Sequence, residues 1–192
     1  MLINERIYFI HIPRTGGRHL YNLILANNHK GNHFLFSKEY KNKEIPHLTY
    51  PEYEEFLGYI PEKKFSIVRE PVDRFFSIIQ NTHWILEKEI ESIFKNKNSF
   101  FSFMNKMRLN KNEKSNWFNT QSDFLSKDVK LWRFEKGFKQ DFKKWLENNF
   151  DLKIPVGYNT ILNENTKKIN LNKKQIEWVK DYYYKDYKLL DY

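Results

Sequence analysis

The chain contains no cysteine among its 192 residues. Disulfides, thiolate nucleophiles and cysteine-ligated metal sites are therefore excluded. The sequence also has no run of about 18 apolar residues, the length that a membrane-spanning helix requires. It begins Met1-Leu2-Ile3-Asn4-Glu5, without the basic and then apolar stretches of a secretory signal. We therefore expect a cytoplasmic protein with no membrane span.

Glycine and proline are scarce, with six of each, so the few places where they cluster are informative. Hydrophobic residues make up 40% of the chain and aromatic residues 18%, a composition that can form a sizeable core. The sequence has no internal repeat and no linker-like stretch. These features predict one domain spanning residues 1–192.

The net charge of +9 favours anionic ligands. The lysines are scattered along the chain and form no stripe, and no nucleic-acid-binding motif is present. We therefore expect an anionic small molecule, and no nucleic acid, as the ligand. A non-catalytic basic module that binds polyanions is an alternative, and it would bind in a salt-sensitive manner.

The first motif is a strand, a glycine-containing basic loop and a helix. Residues 7–12 are β-branched, aromatic or histidine and predict a buried strand, and residues 19–26 have helical periodicity. Glycines let backbone N–H groups approach an anion, and a helix N-terminus adds partial positive charge. Arginine supplies a planar, permanently charged set of donors. The predicted anion loop comprises Pro13, Arg14, Thr15, Gly16, Gly17 and Arg18.

The second motif follows a second predicted strand, residues 65–68, which Pro71 ends. The residues after Pro71 have helical periodicity, which puts Arg74 and Ser77 on one helix face. Arg69 follows the strand directly. Ligands of open α/β sheets bind at the carboxyl ends of strands. The alternation of strands and helices predicts an α/β fold with a mostly parallel central sheet flanked by helices.

Both motifs resemble those of sulfotransferases that use 3′-phosphoadenosine-5′-phosphosulfate (PAPS). Residues 11–17 resemble the H-I-P-K-T-G-G loop of the glycan-modifying branch, which includes the heparan sulfate 2-O- and 6-O-sulfotransferases. Residues 69–77 resemble the R-x-P-x-x-R-x-x-S motif. The resemblance implies a P-loop-like three-layer fold, PAPS as the cofactor without a metal, and transfer to a hydroxyl of a carbohydrate acceptor.

The resemblance also implies a role for each residue. Arg14 and the loop amides would hold the 5′-phosphosulfate, and the Thr15 hydroxyl would donate a further hydrogen bond to it. Arg69 and Ser77 would hold the 3′-phosphate, with Arg74 as a supporting charge. The family's loop lysine is Arg14 here, and residues 18–19 replace its threonine and serine. The Walker pattern G-x-x-x-x-G-K-[ST] is absent, although a nucleotide-dependent phosphotransferase remains an alternative.

The catalytic base implied by the resemblance is His47, which precedes an acidic, aromatic helix start as in the 6-O-sulfotransferases. A neutral imidazole can accept the proton of an attacking hydroxyl. His33 is the second candidate, and Glu52 is the carboxylate that would serve if no histidine does. His11 is expected to be structural, at the end of its strand.

Later segments extend the resemblance in the same order. Residues 119–125 resemble N-x-Q-x-x-x-L, which lines the active cleft of the family, although its amides could equally cap a helix. Residues 129–135 predict a strand and residues 138–150 a helix. Residues 154–160 resemble a segment near the cofactor. The aromatic residues of 81–112 are expected in a helical core, and residues 175–190 in one closing helix.

Overall fold

The computed structural model describes residues 1–33, 38–81, 85, 87–109, 115–155 and 171–192. Its strands are β1 (Leu2–Ile3), β2 (Ile7–Ile10), β3 (Gly31–Asn32), β4 (Glu39–Tyr40), β5 (Lys43–Glu44), β6 (Lys63–Val68) and β7 (Lys130–Arg133). Its α-helices are α1 (Gly17–Ala26), α2 (Tyr50–Leu57), α3 (Pro71–Asn81), α4 (Glu87–Ile93), α5 (Lys97–Leu109), α6 (Gln140–Phe150), α7 (Lys173–Tyr182) and α8 (Tyr184–Leu190). None of these helices combines the length and apolarity needed to cross a bilayer.

The main sheet has the strand order β3-β1-β2-β6-β7. β2, β6 and β7 are parallel, whereas β1 is antiparallel to both β2 and β3. The predicted α/β fold is confirmed, but the described sheet is mixed, and the mostly parallel arrangement holds only for its three longest strands. Asn4 and Glu5 have φ values of 50° and 60°, and Arg6 N–H donates to the Ile3 carbonyl at 3.1 Å. This tight turn returns the chain beside itself, so β1 must pair antiparallel with β2.

Helices cover both faces of the central strands. On one face of β2, Ile7 and Phe9 pack with buried residues of α1 and α6. On the other face, Tyr8 and Ile10 pack with Tyr53 of α2 and Leu190 of α8. Because both faces of the sheet are covered, the polar loops that follow β2 and β6 emerge at its carboxyl edge, where these two strands end.

A separate apolar cluster joins α3, α4, α5 and α7, and it confirms that the described aromatic residues of 81–112 belong to a core. Trp84, which that prediction included, lies outside the described residues. Its buried members are Val72, Phe75, Ile78, Ile79, Ile93, Phe94, Phe100, Met104, Phe118, Trp178, Val179 and Tyr183. The cluster fixes α3, which carries the second motif, against the rest of the helical layer.

The closing helix predicted for residues 175–190 is divided into α7 and α8. Tyr183 lies between them with φ −95° and ψ 20°, and its fully buried ring packs against Phe75. Beyond the break, Leu190 of α8 joins the apolar cluster that contains Val68 of β6. The predicted strand 129–135 ends at Arg133, and α6 begins at Gln140, two residues later than predicted. Residues 156–160 of the segment that resembles a cofactor contact lie outside the described residues.

A small hairpin precedes the predicted base. β4 and β5 are antiparallel, and the two residues between them, Lys41 and Asn42, have φ values of 51° and 60°. Two consecutive residues with positive φ are typical of the tight turn that joins twisted strands. A one-turn 3₁₀ helix, Ile45–His47, follows the hairpin directly and carries His47.

Candidate functional site

The glycine loop connects β2 to α1. Arg14 and Gly16 have φ values of 68° and 92°, so the chain twice enters the left-handed region between Ile10 and Gly17. Glycine adopts this conformation freely, whereas arginine does so at a cost of about 1 kcal/mol. Backbone strain of this kind clusters at functional sites, which makes the conformation of Arg14 notable.

The two glycines are required by close packing. A Cβ atom at Gly17 would lie 2.0 Å from the imidazole of His11, and one at Gly16 would lie 2.6 Å from the ring of Phe138. His11 is buried and stacks on Phe9, in keeping with its predicted structural role. The glycines therefore allow the loop to pass close to the sheet and to the residues preceding α6.

Thr15, predicted as a hydroxyl donor to the ligand, has an internal partner in the structure. Its side chain is fully buried, and its hydroxyl donates to the Ile12 carbonyl at 2.8 Å. The hydroxyl closes the turn at the end of the strand, because a buried donor must be satisfied internally. The loop amides and the guanidinium of Arg14 remain as its anion-binding groups.

Arg14 joins the two motifs. Its Nε donates to Ser77 Oγ at 3.0 Å, although 63 positions separate the two residues. Burial, together with the positive charges of Arg69 and Arg18, lowers the pKa of Arg14 to about 10. Three guanidinium groups thus share this end of the sheet, and Arg18 is the exposed one. An anion bound among them would relieve their mutual repulsion.

Arg69 lies at the carboxyl end of β6, as predicted. Its guanidinium packs on the ring of Phe134, 4.5 Å from the centroid, and its Nη1 donates to the Arg14 carbonyl at 3.4 Å. Burial lowers the pKa of Arg69, and the nearby carboxylates, Asp73 foremost, oppose this effect. Its Nε is buried, and no hydrogen-bond partner for it exists among the described residues. Such a donor requires an explanation, and a bound anion is one.

The backbone of Arg69 is clamped by a side chain whose contact the sequence did not reveal. Gln121, which is fully buried, accepts from Arg69 N–H at 2.9 Å and donates to the Arg69 carbonyl at 2.7 Å. The amides of Gln121 and Ser122 in turn donate to the Asp186 carboxylate of α8 at 2.8 and 2.9 Å. Residues 119–125 were expected to line the cleft or cap a helix. Gln121 instead continues the hydrogen-bonding pattern of β6 beyond its last residue.

Arg74, predicted as a supporting charge, is buried and also organises the loop. Its side chain is 0% exposed, and its three nitrogens donate to three backbone carbonyls. The acceptors are Pro13 at 3.0 Å, Asn119 at 2.9 Å and Trp117 at 2.8 Å. Because each nitrogen is engaged inside the protein, Arg74 fixes the loop and contributes no exposed donor to a ligand.

His47 is buried, with 3% of its surface exposed. Its Nδ1 lies 2.5 Å from Glu44 Oε2, and its ring centroid lies 4.7 Å from that of His11. Burial lowers the pKa of His47, the Glu44 carboxylate opposes this effect, and the charges of Arg14 and Arg74 add to it. The imidazole is therefore neutral near pH 7, the form that accepts a proton.

The two substitute bases have other contacts. His33 Nδ1 is hydrogen-bonded to the hydroxyl of Tyr53 on α2 at 2.8 Å. Glu52 pairs with Lys43 and accepts from the backbone and hydroxyl of Thr49 at 2.8 Å each. Burial raises the pKa of the Glu52 carboxyl, but its hydrogen bonds outweigh burial and lower it overall. Of the three candidates, His47 has the surroundings best suited to a base.

No group of three or more histidine, aspartate or glutamate side chains is arranged to hold a metal ion in the described part of the chain. Comparison with protein-family models, with curated proteins and with solved structures finds no significant match. Function is therefore inferred from the geometry of the loop, the strand end and the buried histidine.

Proposed function

We propose that this chain is a PAPS-dependent sulfotransferase that transfers a sulfuryl group to a hydroxyl of a carbohydrate acceptor. The observation that carries the proposal is the hydrogen bond from Arg14 Nε to Ser77 Oγ. It joins the two motifs that resemble the sulfotransferase family. Both motifs follow parallel strands, β2 and β6, whose carboxyl ends lie at one edge of the sheet.

The fold is proposed to be the P-loop-like three-layer arrangement of that family. Its support is the parallel set β2, β6 and β7, with α1 and α3 each following a strand through a polar loop. The short antiparallel strands β1 and β3 extend the sheet beyond β2, away from β6, and leave these loops unaltered.

We assign the donor groups of the site to the two anionic ends of PAPS, as the resemblance to the family implies. Arg14, Arg18 and the loop amides would hold the 5′-phosphosulfate, and Arg69 and Ser77 would hold the 3′-phosphate. Ser77 Oγ accepts from Arg14, which leaves its hydroxyl hydrogen to donate to an anion. The buried Nε of Arg69 is a second donor suited to such an oxygen.

When bound, PAPS supplies the sulfuryl group that the acceptor hydroxyl receives. The arginines would neutralise charge on the leaving oxygens, and fixed donors of this kind need no reorganisation during the reaction. His47 would take the hydroxyl proton in its neutral form. General-base assistance of this kind contributes about 10²- to 10⁴-fold to a rate.

The test is a thermal-shift titration with the product nucleotide, 3′,5′-phosphoadenosine (PAP), beside AMP, ADP and ATP. A ligand at 100 times its dissociation constant stabilises a fold by about 2.7 kcal/mol, which is readily measured. We expect stabilisation by PAP and little by the other nucleotides. Arg69→Ala and Ser77→Ala should weaken the response, whereas Arg6→Ala, in the exposed turn at the opposite end of β2, should leave it unchanged.

Each alternative function has its own result. An equal response to ATP and PAP would favour a nucleotide-dependent phosphotransferase and would remove the assignment of Arg69 and Ser77. No response to any nucleotide, with salt-sensitive binding to polyanions such as heparin, would favour a non-catalytic basic module.

A further inference from the structure

We infer that Glu44 is the positioning residue of the proposed base, and that Glu44 and His47 act as a carboxylate–histidine pair. Glu44 would hold the imidazole by its Nδ1 and supply the negative charge beside the imidazolium that forms when His47 takes a proton. This inference rests on the proposed function, in which His47 is the base.

The local backbone brings the two side chains together. Glu44 ends β5, and His47 ends the 3₁₀ turn that begins at the next residue. Pro46 lies within that turn, and its ring restricts the backbone there. Residues three apart in a 3₁₀ turn lie on the same side. The Nδ1–Oε2 distance is 2.5 Å, and Glu44 and His47 are only 7% and 3% exposed.

A second donor fixes the carboxylate. Trp117 Nε1 lies within hydrogen-bond distance of two acceptors, the same Glu44 oxygen at 3.0 Å and His47 Nδ1 at 3.1 Å. An indole N–H can only donate, and a carboxylate oxygen accepts two hydrogen bonds. The Nδ1–Oε2 contact, at 2.5 Å, is the shortest of the three and needs a proton between its atoms, so we assign Nδ1–H and Nε1–H both as donors to Glu44. The lone pair of the imidazole then lies on Nε2.

Burial and the neighbouring cations disfavour a positive charge on His47, and the Glu44 carboxylate opposes both effects. The titratable groups that influence it are His11 after β2, Arg14 in the loop, Arg74 on α3, and Glu44. Arg14 and Arg74 are cationic, and both oppose a further positive charge on the imidazole. Glu44 is the one anion of this set. When an acceptor O–H breaks and its proton bonds to Nε2, Nδ1–H stays donated to Glu44, which balances the new charge.

The first experiment examines the unaltered protein without PAPS or acceptor. Long-range ¹H–¹⁵N correlation NMR identifies which ring nitrogen of a neutral histidine carries the proton, and His47→Gln assigns the signal. We expect the proton of His47 on Nδ1 at pH 7.5. A proton on Nε2 would overturn the inference, because Nδ1 could not then donate to Glu44.

The second experiment removes the charge and retains the shape. Glu44→Gln should lower the pKa of His47, measured by NMR titration, below its value in the unaltered protein. Glu55→Gln is the control, since Glu55 is an exposed carboxylate of α2 that pairs with Lys41. An unchanged His47 titration in folded Glu44→Gln would contradict the inference. If Glu44→Gln does not fold, the tautomer of His47 in the unaltered protein tests the inference by itself.

The two proposals fail separately. An Nδ1–H tautomer with no response to PAP would retain the Glu44–His47 pair and reject the sulfotransferase. A PAP response with an Nε2–H tautomer would do the reverse. Loss of a general base lowers a rate by about 10²- to 10⁴-fold. In a transfer assay, Glu44→Gln should lower kcat by a factor close to that range, with KM little changed. The acidic limb of its pH–rate profile should move with the titration of His47.

Discussion

At the scale of single residues, Gly17 gives the sharpest stability prediction. In Gly17→Ala, the new Cβ would meet the His11 imidazole at 2.0 Å, and that ring is confined by Phe9 and His47. Overpacking of a buried site costs about 1–3 kcal/mol. We therefore expect a lower free energy of unfolding, measured by urea denaturation.

Gly31→Ala is the matched control for that variant. A Cβ at Gly31 would have its nearest neighbours, Met1 and Tyr21, at 3.4 Å, which is ordinary contact. Its unfolding free energy should stay within about 0.5 kcal/mol of the unaltered protein, as for unremarkable substitutions. Equal stability of the two alanine variants would show that His11 yields easily and that the loop is less constrained than its packing indicates.

Arg14 is expected to oppose stability and favour binding. Burial and two neighbouring guanidiniums lower its pKa to about 10, so the folded state disfavours its charge. Arg14→Gln should therefore raise the unfolding free energy of the ligand-free protein and abolish stabilisation by PAP. Thermal melting with and without PAP measures both effects, with exposed Arg6→Gln as the control. A variant that loses stability and keeps its PAP response would contradict both assignments.

At the scale of elements, the end of β6 depends on one buried amide. Gln121→Leu would leave the N–H and carbonyl of Arg69 without their partner. An unsatisfied buried group costs about 1–3 kcal/mol, so the variant should lose about 2 kcal/mol or more in urea denaturation. It should also bind PAP more weakly, because Arg69 is no longer held.

Ser122→Ala is the control beside it, because the Ser122 hydroxyl bonds the Thr120 side chain at 2.8 Å and also the Asp186 carboxylate, neither of which is the backbone of Arg69. The unfolding free energy of Ser122→Ala should fall by less than about 1 kcal/mol. If Gln121→Leu and Ser122→Ala have equal unfolding free energies, the two hydrogen bonds from Gln121 to the Arg69 backbone add no stability of their own. Other contacts must then hold Arg69 in place.

The sequence predicted the elements of the site better than their supports. Strand and helix periodicity around residues 7–26 and 65–80 is strong, and it correctly predicted a strand followed by a helix at each motif. It did not predict that Arg14 donates directly to Ser77. The clamp on Arg69 and the partner of Thr15 left no such signal, because hydrogen bonds to the backbone do not depend on any pattern of side chains. β1 and β3 have two residues each, too few for a period of two to be recognised.

At the scale of the whole molecule, buried histidines predict a loss of stability in mild acid. Burial is the main cause of the lowered pKa values of His11 and His47. The unfolded chain therefore binds more protons than the folded one once the pH falls below about 6.5, the ordinary histidine pKa. The free energy of unfolding should then decrease by up to about 1.4 kcal/mol per pH unit for each such histidine.

Urea denaturation at pH 7.5, 6.5 and 5.5 tests this dependence, and His47→Gln should show a smaller decrease. The lowered pKa of Glu52 contributes a loss only below its usual value of 4.5, outside this range. A free energy of unfolding that is constant from pH 7.5 to 5.5 would mean that the histidines titrate alike in the folded and unfolded chains.

The three hydrogen bonds from the Arg74 guanidinium have a consequence for how the sequence can change during evolution. Its guanidinium holds Pro13, Trp117 and Asn119 only through carbonyl oxygens, which every amino acid possesses. Substitution at those positions leaves the acceptors in place as long as the backbone keeps its course. A lineage can therefore exchange most side chains around the loop while one inherited arginine preserves its shape. Its descendants would share a fold while having little sequence identity with one another.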